Sequence, residues 1–153
     1  MMVLTMYRRI LVPTDGSACS EKAAHHAVAL ARATGSSVVF LFVMDTVRNY
    51  HEGVMKDVRK TLSDEGEKSL ASAQRIAADA GVPADAELLE GDPTDVILQR
   101  TEDFDLIVMG SHGKGLWKQL TVGSVTQAVL RRVTRPLLLV PCEHEASVLV
   151  TRS

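Results

Sequence analysis

The sequence predicts an α/β protein: a single-domain, open five-stranded parallel sheet with helices on both faces. Two observations predict this architecture. Strand-like apolar runs alternate with helix-like segments in the order β-α-β-α-β-α-β-α-β, and alternation of this kind is typical of a parallel sheet. In addition, Val38–Met44 contains seven consecutive apolar residues, a pattern typical of a strand that is covered on both faces.

The first half of the chain contains two predicted strands and two predicted helices. Ser17 is a helix cap, and Gly35 lies where a left-handed residue ends a helix. Gly66 interrupts the second helix, where glycine costs about 1 kcal/mol relative to alanine. The elements are predicted at residues 8–13, 17–34, 37–44 and 56–80.

The second half continues the alternation. Asp92 is a capping residue, Pro93 suits the first helical position and Asp95 places an acid in the first turn. Prolines bracket the last strand at its ends, where they are tolerated. The elements are predicted at residues 86–90, 93–102, 106–109, 125–133 and 136–141.

Length and composition restrict the class of protein. The 153 residues suit one domain, which is large enough to bury a full core without metal or disulfide staples. The net charge of −2 gives no basic face, and no apolar run approaches the roughly 18 residues of a membrane span. We therefore expect neither a nucleic-acid nor a membrane partner. Because no signal peptide is evident, the expected location is the cytoplasm.

The two cysteines, Cys19 and Cys142, are far apart in the sequence and form no Cys-x-x-Cys pair. In a chain with no secretory signature, two such residues are more often reduced thiols than a disulfide. The sequence therefore predicts two free thiols.

A glycine-rich segment follows the fourth predicted strand. Two residues separate Gly110 from Gly113, nine separate Gly113 from Gly123, and Ser124 comes next at a helix start. A strand that leads through such a loop into a helix is a place where backbone amides can bind phosphate. The segment is neither a P-loop nor a dinucleotide fingerprint. From spacing alone, phosphate binding and a surface loop that needs glycine only for its turns both stay open.

This glycine spacing resembles that of the universal stress protein family, in its ATP-binding branch. That branch carries Gly, two residues, Gly, nine residues, Gly and then Ser or Thr, which the four residues just named match at every position. Residues 10–17 and 135–141 also resemble the two ends of the family's domain. The resemblance spans about residues 7–141 of one domain at 1–153, with a tail at 142–153. It implies a Rossmann-like fold of the adenine nucleotide α-hydrolase-like type.

The resemblance also implies an ATP site at the carboxyl ends of three strands. Asp15 matches the acid that contacts the ribose or an associated metal, and Val43 matches the position whose backbone reads the adenine edge. Asp15 has a structural interpretation too, since an Asp in a strand-to-helix turn often caps the helix. His112 falls at a variable position of the family pattern. The residues expected to bind ATP are Pro13, Thr14, Asp15, Val43, Met109, Gly110, His112, Gly113, Gly123, Ser124, Val125 and Thr126.

The function implied by the resemblance is that of a stress-response protein that binds ATP together with Mg²⁺ or Mn²⁺. The family commonly forms homodimers through its last strand, here Pro136–Pro141, and an edge strand offers backbone groups for such pairing. The sequence shows no convincing acid–base pair and no clear arginine finger, so we expect slow hydrolysis or autophosphorylation at most. Two alternatives stay open: a nucleotide-free dimerisation or scaffold module of the same fold, and an ATP-dependent enzyme with a second substrate pocket.

Overall fold

The computed structural model describes residues 6–47, 52–112 and 122–142. Within these ranges every predicted strand and helix is present, in the predicted order. The largest differences in bounds are that the second helix begins at residue 52 rather than 56 and the third strand at residue 84 rather than 86. The elements are β1 (Arg9–Pro13), α1 (Ala18–Thr34), β2 (Ser37–Asp45), α2 (Glu52–Asp79), β3 (Ala84–Gly91), α3 (Pro93–Thr101), β4 (Leu106–Gly110), α4 (Ser124–Arg132) and β5 (Leu137–Val140).

The sheet has the strand order β3-β2-β1-β4-β5, and all its strand pairs are parallel. The chain first builds outward from β1 to β3 and then crosses to β4, on the other side of β1. This confirms the predicted open parallel sheet. It also places the reversal of winding between β1 and β4, and ligands of such sheets bind beyond the carboxyl ends of the strands at this point.

Helices cover both faces of the sheet, so the central strands are buried on both sides. Ile10 and Val12 pack with α1 and α2, whereas Leu11 between them packs with α3 and α4. Phe40 and Leu41 of β2 divide between the two faces in the same way, and all five side chains are fully buried. The continuous apolar runs of the sequence therefore reflect two cores rather than one.

The predicted helix caps are confirmed. The Ser17 hydroxyl accepts a hydrogen bond from the Ser20 amide at 3.2 Å, and the Asp92 carboxylate accepts one from the Asp95 amide at 3.0 Å. Gly35 ends α1 with a φ of 76°, in the left-handed region that glycine adopts without strain. These caps fix where α1 and α3 begin, and therefore which turns lie at the carboxyl edge of the sheet.

Helix α2 is the longest of the described helices, with 28 residues. Gly66 lies buried in it, and a Cβ there would be 2.6 Å from Cδ1 of Leu88 and 2.9 Å from Cδ1 of Phe42. The glycine that weakens the helix locally therefore lets α2 approach β2 and β3 closely. Neither α2 nor any other helix in the described ranges is long and apolar enough to cross a membrane.

Cys19 and Cys142 form a disulfide, so the prediction of two free thiols was wrong. Cys19 lies in the first turn of α1, and Cys142 lies two residues beyond the end of β5. Helix α1 packs against β4 and β5, which brings the two Cα atoms to 5.6 Å across a sequence separation of 123 residues. That distance suits a disulfide. Only the folded topology, and no spacing in the sequence, brings these residues together.

Candidate functional site

The turn after β1 is tied to both β2 and α1. The Thr14 amide donates to the carbonyl of Leu41 at 2.8 Å, and Thr14 Oγ1 lies 3.0 Å from Ser20 Oγ in a hydrogen bond. Asp15 Oδ1 accepts a hydrogen bond from the Ser17 amide at 2.9 Å. One carboxylate oxygen of Asp15 therefore has the structural role that the sequence suggested, since it stabilises the turn before α1. Pro13 and Thr14 are buried beside it.

Val43 lies just past the point where β2 loses its partner on the β1 side. The ladder between the two strands ends at the pair Pro13 and Leu41. Alternate residues of β2 face opposite neighbours, since the Ser37 amide donates toward β1 and the Val38 amide donates toward β3. By this alternation the Val43 N–H and C=O both point toward β1, beyond its end. One residue thus offers a donor and an acceptor at the carboxyl edge of the sheet.

The end of β4 and the start of α4 are held together by two hydrogen bonds. Thr126 Oγ1 donates to the carbonyl of Gly110 at 3.0 Å, and the Gly123 amide donates to the carbonyl of Ser111 at 2.6 Å. Thr126 is buried, so its hydroxyl fixes the position of α4. The structure therefore brings the two ends of the glycine-rich segment together.

Among the described residues, no side chain caps the first amides of α4. Gly123 is the N-cap, with φ −66° and ψ 158°, and no side-chain cap bond is made there, in contrast to Ser17 on α1 and Asp92 on α3. Ser124 follows as an exposed first helical residue. The orphan amides and the helix dipole favour an anion at such an end. This feature suits a phosphate better than either of the two capped helix starts.

Three predicted site residues lie on the side of the sheet that α3 and α4 cover. Val43, Met109 and Val125 all belong to the apolar cluster under α3 and α4. Met109 is buried, whereas the other two are partly exposed. Together they give the carboxyl edge an apolar side next to the hydrogen-bonding groups of β2 and α4. Small-molecule sites commonly combine such apolar lining with a few polar groups.

Gly110 has a packing role that the sequence did not reveal. A Cβ at this position would lie 2.8 Å from Sγ and 2.9 Å from the carbonyl oxygen of Cys19. Its φ is not in the left-handed region. Glycine is therefore required here because α1 approaches β4 closely. Beyond it, His112 is buried, and Gly113 lies outside the described residues.

One cleft among the described residues is distinct from the predicted ATP site. A cavity of about 300 Å³ lies between α1 and α2, and Thr14 is the only predicted site residue that lines it. The cleft opens on the α1 and α2 face, whereas Val43 and Met109 face α3 and α4. Its polar lining includes the hydroxyl-bearing residues Thr14, Ser17, Ser20, Ser69 and Ser72.

The site offers carboxylates to a metal that arrives with a nucleotide. Within the part of the chain that the structure describes, no three His, Cys, Asp or Glu side chains form a group that could hold an ion. Mg²⁺ bound to a nucleotide needs only one or two carboxylates, because the phosphates and water supply its other ligands. Asp15 follows β1 and Asp45 ends β2, so both carboxylates lie at the carboxyl edge of the sheet.

Comparison with known proteins identifies the family of this chain. The universal stress protein family model matches residues 6–141. The chain belongs to the universal stress protein family. Universal stress protein MJ0531 of Methanocaldococcus jannaschii is 34% identical over 140 residues, which cover 88% of this chain and 82% of the relative.

Solved structures of universal stress proteins share the fold. The structure of MJ0577, also from Methanocaldococcus jannaschii, is 30% identical with a TM-score of 0.79, and covers 92% of this chain and 99% of that one. The universal stress protein from Archaeoglobus fulgidus in complex with dAMP is 22% identical with a TM-score of 0.68, and covers 88% of this chain and 98% of that one. The second likeness establishes the fold alone.

Proposed function

We propose that this universal stress protein binds ATP, together with Mg²⁺ or Mn²⁺, at the carboxyl edge of the sheet. We further propose that it acts in the stress response as a nucleotide-loaded cytoplasmic homodimer. One observation carries the proposal: the start of α4, where no described side chain caps the amides, and the backbone of Val43, beyond the last pair of β2 with β1, lie at the same edge of the sheet, where its winding reverses. The dAMP complex of the Archaeoglobus fulgidus protein supports an adenine nucleotide as the ligand of this fold.

Each part of the site has a role in this proposal. The N–H and C=O of Val43 pair with the adenine edge, which presents one acceptor and one donor side by side. The amides at the start of α4, next to Ser124, bind the phosphates. Asp15 contacts the ribose or the metal through its carboxylate. The remaining predicted residues shape the walls of the site.

Fast phosphoryl transfer is not part of the proposal. Such transfer needs cationic charge beside the developing transition state and a group that positions the nucleophile. None of the predicted site residues is Arg or Lys, and Asp15 Oδ1 already accepts a bond from the Ser17 amide. We therefore propose binding with slow hydrolysis or autophosphorylation at most. The quantity that tests the proposal is therefore the affinity of the protein for ATP rather than the rate of ATP hydrolysis.

Isothermal titration with Mg²⁺ and ATP tests this function. We expect a dissociation constant below the millimolar range. The variant Gly113→Val should lose binding, because the bulk blocks the backbone of the glycine-rich segment, and should keep the wild-type circular dichroism spectrum. If the wild-type protein shows no affinity below the millimolar range, the nucleotide-free scaffold alternative replaces the proposal. Pyrophosphate release with an acceptor substrate would instead favour the ATP-dependent enzyme.

A further inference from the structure

The disulfide between Cys19 and Cys142 lies against the wall of the glycine-rich segment. Gly110 packs directly on Cys19, since a Cβ added to Gly110 would lie 2.8 Å from Cys19 Sγ. Ser111 Oγ lies 4.0 Å from the same sulfur. The sequence contains only these two cysteines, so thiol chemistry in this protein occurs at this pair alone. Neither cysteine belongs to the proposed ATP site, and the pair requires its own explanation.

Hydrogen bonds hold the segment around Cys142 in place independently of the sulfur–sulfur bond. Ser111 Oγ accepts a hydrogen bond from the Cys142 amide at 3.2 Å, and the Ser111 amide donates to the carbonyl of Val140 at 2.9 Å. Lys22 Nζ donates to the carbonyl of Pro141 at 2.9 Å. The two sulfurs therefore stay neighbours after reduction, and their high effective concentration favours reclosure without refolding.

The two sulfurs differ in exposure and in electrostatic surroundings. Cys142 is partly exposed, whereas Cys19 is only 7% exposed. Cys19 is the second residue of α1, where the helix amides and dipole stabilise a thiolate. An external thiol therefore meets the sulfur of Cys142, and Cys19 is the better leaving group.

We propose that Cys19 and Cys142 form a reversible thiol–disulfide exchange site whose substrates are a low-molecular-weight thiol and its disulfide. A small thiolate attacks Sγ of Cys142, the bond to Cys19 breaks, and the Cys19 thiolate takes a proton. A second small thiolate attacks the small-molecule sulfur of the mixed disulfide and releases Cys142, which is protonated. One protein disulfide becomes two thiols, and two small thiols become one small disulfide. Oxidation of the protein follows the same steps in reverse.

The exchange site also shares a residue with the support of α4. Ser111 contacts the cysteine pair through its hydroxyl, and its carbonyl accepts the bond from the Gly123 amide. Opening the disulfide removes the covalent restraint on the Cys142 side of this support and leaves only the hydrogen bonds, so the support becomes less rigid while the segment keeps its place. On the basis of the ATP site proposed above, the oxidised form therefore binds ATP several-fold more tightly than the reduced form.

Equilibration of the folded, full-length protein with mixtures of reduced and oxidised glutathione tests the exchange site. After quenching with an alkylating agent, intact mass should show one complete transition between disulfide and dithiol. Cys19→Ser should accumulate a glutathione adduct on Cys142. Cys142→Ser should react at least about tenfold more slowly, because access controls the attack. Both variants should react equally in urea, which controls for intrinsic reactivity.

Three results would overturn the exchange site. The first is a disulfide that persists in fully reduced glutathione, the second is a dithiol that persists in fully oxidised glutathione, and the third is equal adduct rates in the two folded single variants. If a variant fails to fold, the transition of the wild-type protein between disulfide and dithiol tests the exchange site alone. Titration of ATP into both forms separates the proposals: equal affinities refute the coupling, whereas binding to neither form refutes the ATP site and leaves the glutathione result standing.

Discussion

At the scale of single residues, glycine and cysteine have meanings that only the fold reveals. The spacing around Gly110 left a phosphate-binding loop and a plain surface loop both open, and the structure shows a separate reason for this glycine, which is the close approach of Cys19. Cys19 itself was predicted to be a free thiol, because its partner Cys142 is 123 positions away. Contacts of this kind depend on how α1 packs beside β5, which no local pattern records.

The packing role of Gly110 gives a stability prediction. Gly110→Ala places a methyl group 2.8 Å from Cys19 Sγ, so it should lower the free energy of unfolding by about 1–3 kcal/mol, the usual cost of overpacking. Urea denaturation without nucleotide measures this. The exposed Ser124→Ala is the control and should change stability by less than about 0.5 kcal/mol. A Gly110→Ala protein as stable as the wild type would show that no close contact exists here.

At the scale of elements, the sequence predicted order and type well, because each signal was local. Ser17, Gly35 and Asp92 end or begin helices through bonds to residues a few positions away, and the structure confirms all three. The sequence did not reveal how α3 is fixed to the sheet. Arg100 on α3 makes a bidentate ion pair with Glu87 on β3, with both N–O distances at 2.7 Å.

This ion pair gives a prediction for the attachment of α3. The Glu87 carboxylate raises the pKa of Arg100 above its usual value by accepting its hydrogen bonds, so the pair stabilises the folded state. Arg100→Ala should cost about 1–3 kcal/mol of unfolding free energy, because the pair is charged and only partly exposed. Arg59→Ala is the matched control, since its pair with Glu90 is exposed, and should cost less than about 1 kcal/mol. Equal costs in urea denaturation would refute this role.

At the scale of the whole molecule, the disulfide closes a loop that spans most of the chain. In the chain-entropy account, a loop of 123 residues contributes roughly 4–5 kcal/mol of stability. A reducing agent should therefore lower the melting temperature of the wild type by roughly 10–20 °C. Cys142→Ser should melt at the lower temperature with or without reductant. If thiol titration shows complete reduction of the disulfide and the wild-type melting temperature does not change, this contribution is contradicted.

The proposed homodimer is a second property of the whole molecule. Strand β5 lies at one edge of the sheet, and Leu138 on it is 40% exposed. Leu138→Lys should convert the dimer to a monomer in light scattering, because edge charges oppose strand pairing. Val47→Lys is the control, because Val47 is 60% exposed and follows β2, which β1 and β4 separate from β5, and this variant should leave the assembly unchanged. A wild-type protein that is monomeric at high micromolar concentration would refute the dimer.

The central claim is that the uncapped start of α4 binds the phosphates of ATP. Gly123→Asp tests it, since the backbone of Gly123 has the extended geometry that Asp92 adopts as the cap of α3. The new carboxylate caps the amides and repels phosphate, and aspartate is at least as good a cap as glycine, so stability should hold. In isothermal titration we expect ATP affinity to fall at least about tenfold, a loss of about 1.4 kcal/mol, at an unchanged melting temperature. Equal ATP affinity in the two proteins would contradict the claim.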